Sequence, residues 1–305
     1  MPLFQLKPEI PSESAEAADN VLLEFGSENW SVLENVISKH AWLVGVAADR
    51  QTVESEWAAL LPLLSASGVD VIDRAAIETL ADADWRDSYK AHFHAWQFGR
   101  LHWVPVWQKS TFSLPPGDAV LWLDPGLAFG TGNHETTRLC IERLVALEKR
   151  YVEQQRPVTD VSVIDAGCGS GILALSAALL GFRRINGFDN DPEAVRVSEE
   201  NAAANGLAGR VEFFTGDLTV GLANRHADIV MANIQADVLI RYADVLVGAV
   251  SPGGTLILSG ILAQENDAVR RAFAVAAPDW SANARIMGEW SDVSLVRPTS
   301  GSALG

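Results

Sequence analysis

The chain is poor in cysteine, in positive charge and in long apolar runs. Its two cysteines, Cys140 and Cys168, exclude a disulfide framework, and neither sits in a metal-like cluster. Lysine and arginine number 23 against 39 aspartates and glutamates, for a formal net charge of -16. That balance argues against direct reading of nucleic acid, because a broad grip on phosphates displaces counterions with basic side chains. It suits a basic protein partner drawn in by long-range attraction. No apolar run approaches the ~20 residues of a membrane helix. Residues 1–10 lack a basic patch followed by an apolar stretch, so no signal peptide is expected. A reducing cytoplasm is the expected compartment. Internal repeats and low-complexity segments are also missing.

What the chain does carry is size and pattern. Its 305 residues, 48% hydrophobic and 20% charged, suit two folded domains. In the second half, short β-rich apolar runs at 161–165, 185–189, 211–214, 228–232 and 255–259 alternate with helical patterns at 172–180, 192–205, 236–250 and 266–276. Near-continuous apolar strands separated by helices predict an α/β fold: a Rossmann-like, doubly wound, mostly parallel sheet covered on both faces. Two late runs, 284–287 and 293–296, flank Trp290-Ser291 and predict an antiparallel pair at the sheet edge.

The first half predicts a strand at 3–6, a helix at 14–25 stopped by Gly26, strands at 30–33 and 41–46, and a helix at 52–64 capped by Thr52. That order predicts a small ferredoxin-like α+β domain. The expected division is 1–80 for this domain, 81–115 for a connector and 116–305 for the α/β domain. The connector is crowded with aromatics, among them Trp85, Tyr89, Phe93, Trp96, Phe98, Trp103 and Trp107, with His92, His94 and His102 interleaved. An interdomain core is the favoured reading, since rings supply large buried area. A surface for stacking bases is disfavoured by the acidity of the chain. His92 and His94 share one strand face but lack a third ligand nearby.

The segment that carries chemistry runs Val161-Ser-Val-Ile-Asp-Ala-Gly-Cys-Gly-Ser-Gly171: strand, acid, glycine turn, helix. The glycines permit a tight turn and let a ligand approach the backbone. Gly167, Gly169 and Gly171 spell G-x-G-x-G, whereas the dinucleotide fingerprint needs a small residue at 172, which is Ile. Asp165 sits awkwardly beside a diphosphate and suits a cofactor with a cationic amino-acid part, such as S-adenosylmethionine. The next strand ends in Asp189, and 189 minus 169 is 20, the interval at which a carboxylate meets ribose hydroxyls. Both hydroxyls donate and a carboxylate accepts both. Asn190 follows at the adenine edge, Asp217 ends the third strand within reach of the adenine amine, and Asp191 before Pro192 reads as a helix cap.

Asn233 closes the fourth strand, where the transferring group should lie, and its amide can accept a hydrogen bond from an incoming amine. Upstream, residues 123–137 form a loop rich in glycine and hydroxyls that leads into an apolar helix. Gly126, Gly130 and Gly132 give it the mobility of a lid, and Asn133 reads as the helix cap.

The run 124–137, the 165–171 turn, Phe188-Asp-Asn-Asp-Pro192, Ala232-Asn-Ile234, the aromatic stretch from Asp84-Trp85 to Trp107 and the run 253–261 together resemble the ribosomal protein L11 methyltransferases. The resemblance spans nearly the whole chain, thinly before residue 80. It implies a class I, S-adenosylmethionine-dependent catalytic domain, a small N-terminal domain that grips the substrate, and cofactor contacts at Thr137, Gly167, Asp189 and Asn233. The pattern itself adds Gly169 and Asn190. The implied reaction is N-methylation of lysine side chains and an α-amino group on a large-subunit ribosomal protein. Family members usually continue Asn-Ile with Leu-Ala, whereas this chain runs Asn233-Ile-Gln-Ala-Asp-Val, which alters the substrate edge of the pocket.

Methyl transfer from a sulfonium needs alignment more than acid catalysis. Asn233 is the residue expected to orient the amine, with water taking the proton and His134 as the alternative base. Three competing readings remain. One is methylation of another protein lysine or a small amine. A second is a nicotinamide dehydrogenase, disfavoured by Asp165 and Ile172. The third is a non-catalytic relative, kept open by the run after Asn233.

Overall fold

The structure is a computed structural model that describes residues 3–26, 29–35, 40–73, 75–80, 95–123 and 134–299. The readings at Asp84 to His94 and at Asp124 to Asn133 lie outside the described residues. The chain divides into two compact units, Met1–Phe93 and His94–Gly305. No described helix is long and apolar enough to cross a membrane.

The first unit carries strands β1 (Leu3–Leu6), β2 (Glu9–Pro11), β3 (Trp30–Asn35), β4 (His40–Ala47) and β5 (Glu78–Leu80), with helices α1 (Ala15–Phe25) and α2 (Arg50–Ala66). β1 pairs antiparallel with β4 and β5, and β3 pairs antiparallel with β4. This is the split βαββαβ arrangement expected of a ferredoxin-like unit. β2 continues the β1 line along β4, pairing Ile10 with Ala41. β4 alternates exposed or half-buried residues with buried ones over its whole length, the period of a sheet covered on one face. Leu43, Leu60 and Leu64 are fully buried in the core beneath it. α1 ends at Gly26 with φ of 70°, the left-handed stop that glycine accepts most readily. The cap of α2 differs from expectation. Asp49, not Thr52, is the N-cap and accepts from the Thr52 amide at 2.8 Å, so Thr52 is the third helical residue that Asp49 holds.

The second unit opens with β6 (Trp96–Phe98), β7 (Leu101–Pro105) and β8 (Ala119–Leu123), a small three-stranded sheet. The described part of the aromatic stretch is core of this unit. Phe98 and Trp103 are buried with Leu121, and the Trp103 indole N–H donates to Ser176 Oγ at 2.9 Å. His102 is buried and bonds Asp118 at 2.6 Å.

Helix α3 (Glu135–Glu153) follows, and then the alternating run: β9 (Ser162–Ala166), α4 (Ile172–Leu179), β10 (Arg184–Asp189), α5 (Pro192–Ala204), β11 (Glu212–Thr215), α6 (Leu218–Leu222), β12 (Ala227–Asn233), α7 (Ala236–Arg241), α8 (Ala243–Gly248), β13 (Val250–Leu262), α9 (Asn266–Ala276), β14 (Ser281–Met287) and β15 (Trp290–Val296). The seven strands order as β11-β10-β9-β12-β13-β15-β14. The first five are parallel, and β15 runs antiparallel between β13 and β14, as the late apolar pair predicted.

β9 lies at the middle of the five parallel strands with nearly every residue buried, and it feeds both faces: Val163 joins the core under α3 and α4, Ile164 the core under α7 to α9. Order reverses between β9 and β12, and ligands of open α/β sheets bind at such a reversal, outside the strands' carboxyl ends. Two elements differ from expectation. The helix expected over 236–250 bends at Tyr242, which leaves helical torsions (φ -106°, ψ 21°) while the hydrogen-bond ladder continues on either side. Leu239 and Leu246, one on either side of the bend, are both fully buried. β13 is longer than 255–259: it begins at Val250, which pairs with Ala227 before the register shifts to Thr255, and it runs on to Leu262 beside β15.

Candidate functional site

The carboxyl ends of β9, β10 and β12 open on one cavity of about 730 Å³, a volume in the range of small-molecule sites. Gly167 and Gly169 line it from the turn after β9, Asp189 and Asn190 from the end of β10, Asp217 from beyond β11, and Asn233 from the end of β12. Of the six expected contact residues only Thr137 is absent from the wall. It is 2% exposed and stands behind Asn233, whose Nδ2 donates to its Oγ1 at 3.4 Å.

The glycine turn is shaped by what surrounds it. Gly167 has φ of 75°, and a Cβ there would lie 2.6 Å from Ile234 Cγ2, so only glycine lets the β9 turn and the β12 turn approach. The amides of Gly167 and Cys168 both donate to Phe188 O at 2.9 Å, fastening the turn to the end of β10. Asp189 is already preorganised: Oδ2 accepts from the Gly169 amide at 2.9 Å and Oδ1 from the Asp191 amide at 3.1 Å. Each oxygen keeps a further lone pair for a ligand hydroxyl. Asp191 caps α5 as expected, accepting from Glu193 N at 2.9 Å. Asp217 lies past the strand and caps α6 through Val220 N at 2.8 Å while lining the cavity.

Asp165 does something other than the sequence implied. It is 1% exposed, it is not part of the cavity wall, and its Oδ2 accepts from Ala174 N at 3.0 Å. Burial is the main cause that raises its carboxyl to about 7, with a smaller contribution from Asp189. It therefore ties β9 to the first turn of α4 rather than facing a ligand.

His134, not Asn133 as the sequence suggested, is the N-cap of α3. Its Nδ1 accepts from the Thr136 amide at 3.4 Å and meets Thr136 Oγ1 at 2.8 Å. The ring packs edge-on against Trp290, centroids 4.7 Å apart. Trp290, Tyr242 and Gly260 line the cavity and were not singled out as site residues by sequence reasoning. Gly260 (φ 78°) has an audible reason to be glycine, since a Cβ would fall 2.4 Å from Ile234 O. No local pattern marks Trp290, which reaches the cavity only because β15 inserts beside β13.

The family model for ribosomal protein L11 methyltransferase (PrmA) matches residues 2–298. The chain belongs to the ribosomal protein L11 methyltransferase family. The L11 methyltransferase of Pseudomonas aeruginosa (strain LESB58) is 39% identical over 285 residues, covering 90% of this chain and 92% of that protein. That of Trichlorobacter lovleyi is 45% identical over 199 residues, 65% of this chain and 63% of the relative. A crystal structure of the ribosomal protein L11 methylase from Lactobacillus delbrueckii subsp. bulgaricus superposes with a TM-score of 0.57 at 28% identity, covering 68% of this chain and all (100%) of that one. The site thus stands in an α/β methyltransferase of this family.

Proposed function

We propose that the cavity holds S-adenosylmethionine and that the protein methylates amino groups of ribosomal protein L11: lysine side chains and an N-terminal α-amine. The observation that carries this is the convergence of Gly167, Asp189 and Asn233 on one cavity in a chain of this family. Bound there, S-adenosylmethionine supplies a methyl group on a sulfonium whose leaving group is a neutral thioether, so no acid is needed. Asp189, fixed by two backbone amides, takes the ribose hydroxyls. Phe188, Leu218, Ile234 and Val238 supply apolar wall for the adenine, with Asn190 at its edge.

Asn233 orients the acceptor. Its Nδ2 is committed to Thr137 Oγ1, which sets the amide so that Oδ1 accepts from the incoming amine. A lysine is an ammonium with an ordinary pKa near ~10.4. Removal from water beside a sulfonium lowers that value, so water suffices to take the proton. His134 Nδ1 is engaged by Thr136 as the cap of α3, a structural role that favours Asn233 over it as the residue that meets the amine. We assign the grip on the protein substrate to residues 1–80, and donor binding and chemistry to residues 116–305. The net charge of -16 suits a basic substrate. Two buried, unbridged cysteines suit a reducing cytoplasm.

The test is incubation with labelled S-adenosylmethionine and purified L11, with mass spectrometry to locate the methyl groups. Asn233→Ala is expected to lower turnover about 100-fold while donor affinity stays within about threefold. Full turnover in that variant would remove Asn233 from the mechanism, and label on another protein or a small amine would redirect the substrate assignment.

A further inference from the structure

One face of α5 presents Ser198, Asn201 and Asn205 at intervals of three and four residues, each bonded to backbone outside the helix. Ser198 Oγ donates to Gly169 O at 2.8 Å, and Asn201 Nδ2 donates to Ser170 O at 2.9 Å. Asn205, the C-cap residue, closes both backbone groups of Trp122 in β8: its Oδ1 accepts from Trp122 N at 2.7 Å and its Nδ2 donates to Trp122 O at 3.0 Å. The same Nδ2 donates to Asn201 O at 2.9 Å.

The effect on the glycine turn is specific. Cys168 O accepts from Gly171 N and Gly171 O accepts from Leu175 N within the local chain. Of the two carbonyls between them, that of Gly169 accepts from Ser198 Oγ and that of Ser170 from Asn201 Nδ2, both on α5. The Gly169 residue is clamped from both sides, its N–H on Asp189 Oδ2 and its C=O on Ser198 Oγ. Its φ of 52° is a torsion that glycine visits alongside many others, so its own backbone does little to hold it there. With its carbonyl freed, Gly169 would be free to change ψ, and the turn that presents its amide to Asp189 would lose one of its two anchors.

We propose that Ser198 and Asn201 are positioning residues that set the glycine turn and Asp189 in donor-binding geometry, with Asn205 seating the far end of their helix on β8. Neither touches the cavity. The inference rests on the reading that this cavity binds the methyl donor.

The test uses the full chain and S-adenosylmethionine itself. Ser198→Ala and Asn201→Ala are measured by calorimetric donor affinity and by turnover, at a temperature where circular dichroism shows each variant folded. Each is expected to raise the donor Kd and KM about tenfold, with turnover at saturating donor within about twofold of the parent. Arg196→Ala serves as control. It loses exposed pairs to Glu193 and Glu200 on another part of the same helix and is expected to leave the donor Kd unchanged. If Ser198→Ala, fully buried, does not fold, the half-buried Asn201→Ala carries the test. Donor affinity unaltered in both variants, or weakened equally by Arg196→Ala, overturns the proposal while the function stands. A parent chain that binds no S-adenosylmethionine overturns the function and this proposal together.

Discussion

Replacing Asp165 with asparagine isolates the energetic consequence of burying an acid beneath the glycine turn. The carboxyl is 1% exposed, has one described hydrogen bond, from Ala174 N, and is raised from 3.8 to about 7, chiefly because burial penalises its charged form. The folded state therefore holds this proton to higher pH than the unfolded chain does. The stability contributed by the group is fully present below the unfolded value and is lost as pH rises through the folded one. At ~1.36 kcal/mol per unit, the loss between about pH 5.5 and about pH 8 is about 2 kcal/mol. Asparagine keeps the acceptor for Ala174 N and has no charge to form. Urea unfolding of parent and variant at both pH values reads the difference, and every other titrating group cancels in the comparison. The parent is expected to lose about 2 kcal/mol more than Asp165→Asn over this range. Parallel curves, or a gap that opens toward acid, would refute the reasoning.

Three further outcomes follow from the same geometry. Gly167→Ala forces a side chain into φ of 75° with its Cβ 2.6 Å from Ile234 Cγ2, so Tm should fall by the equivalent of about 1–3 kcal/mol. Its donor affinity should drop with it, as read by calorimetry. Asp292 is fully buried and accepts from Arg143 and Arg285, which join the β14–β15 hairpin to α3. Asp292→Ala leaves those two guanidinium groups without their shared carboxylate and should cost about 3 kcal/mol in chemical denaturation, a cost that Asp292→Asn reduces. The acidity of the chain predicts that affinity for the protein substrate weakens several-fold between about 50 mM and about 500 mM salt, measured by titration. An affinity indifferent to salt would mean that charge attraction is not what brings the substrate in.

Much of the catalytic architecture was legible because it is written in local pattern. β1 and α9 fall on the residues their periodicity predicts, and Gly26 and Asp191 perform the capping their positions imply. The acids at the strand ends were legible for a related reason: in a parallel sheet every carboxyl end faces the same side, so spacing along the chain becomes proximity in space. Legibility failed where two local preferences compete or a distant contact decides. Asp49 and Thr52 are both good caps, and only the torsions show that Asp49 takes the role. The run 236–250 has helical spacing throughout and holds no glycine or proline before Gly248, yet it bends at Tyr242, which no local pattern marks.

The sequence by itself determined the alternation of strand and helix and the place of the glycine turn at the end of β9, since these follow from torsional preference and period over a few residues. Only the tertiary structure decided that Trp290 and His134 meet at the cavity, that Thr137 stands behind Asn233, that Asp165 turns inward to Ala174, and that α5 grips the glycine turn. Trp290 and His134, like Asn233 and Thr137, lie far apart in the chain and meet through the order of strands in the sheet. The last two cross from a strand end to a neighbouring helix, where packing, not spacing, chooses which groups a side chain can reach.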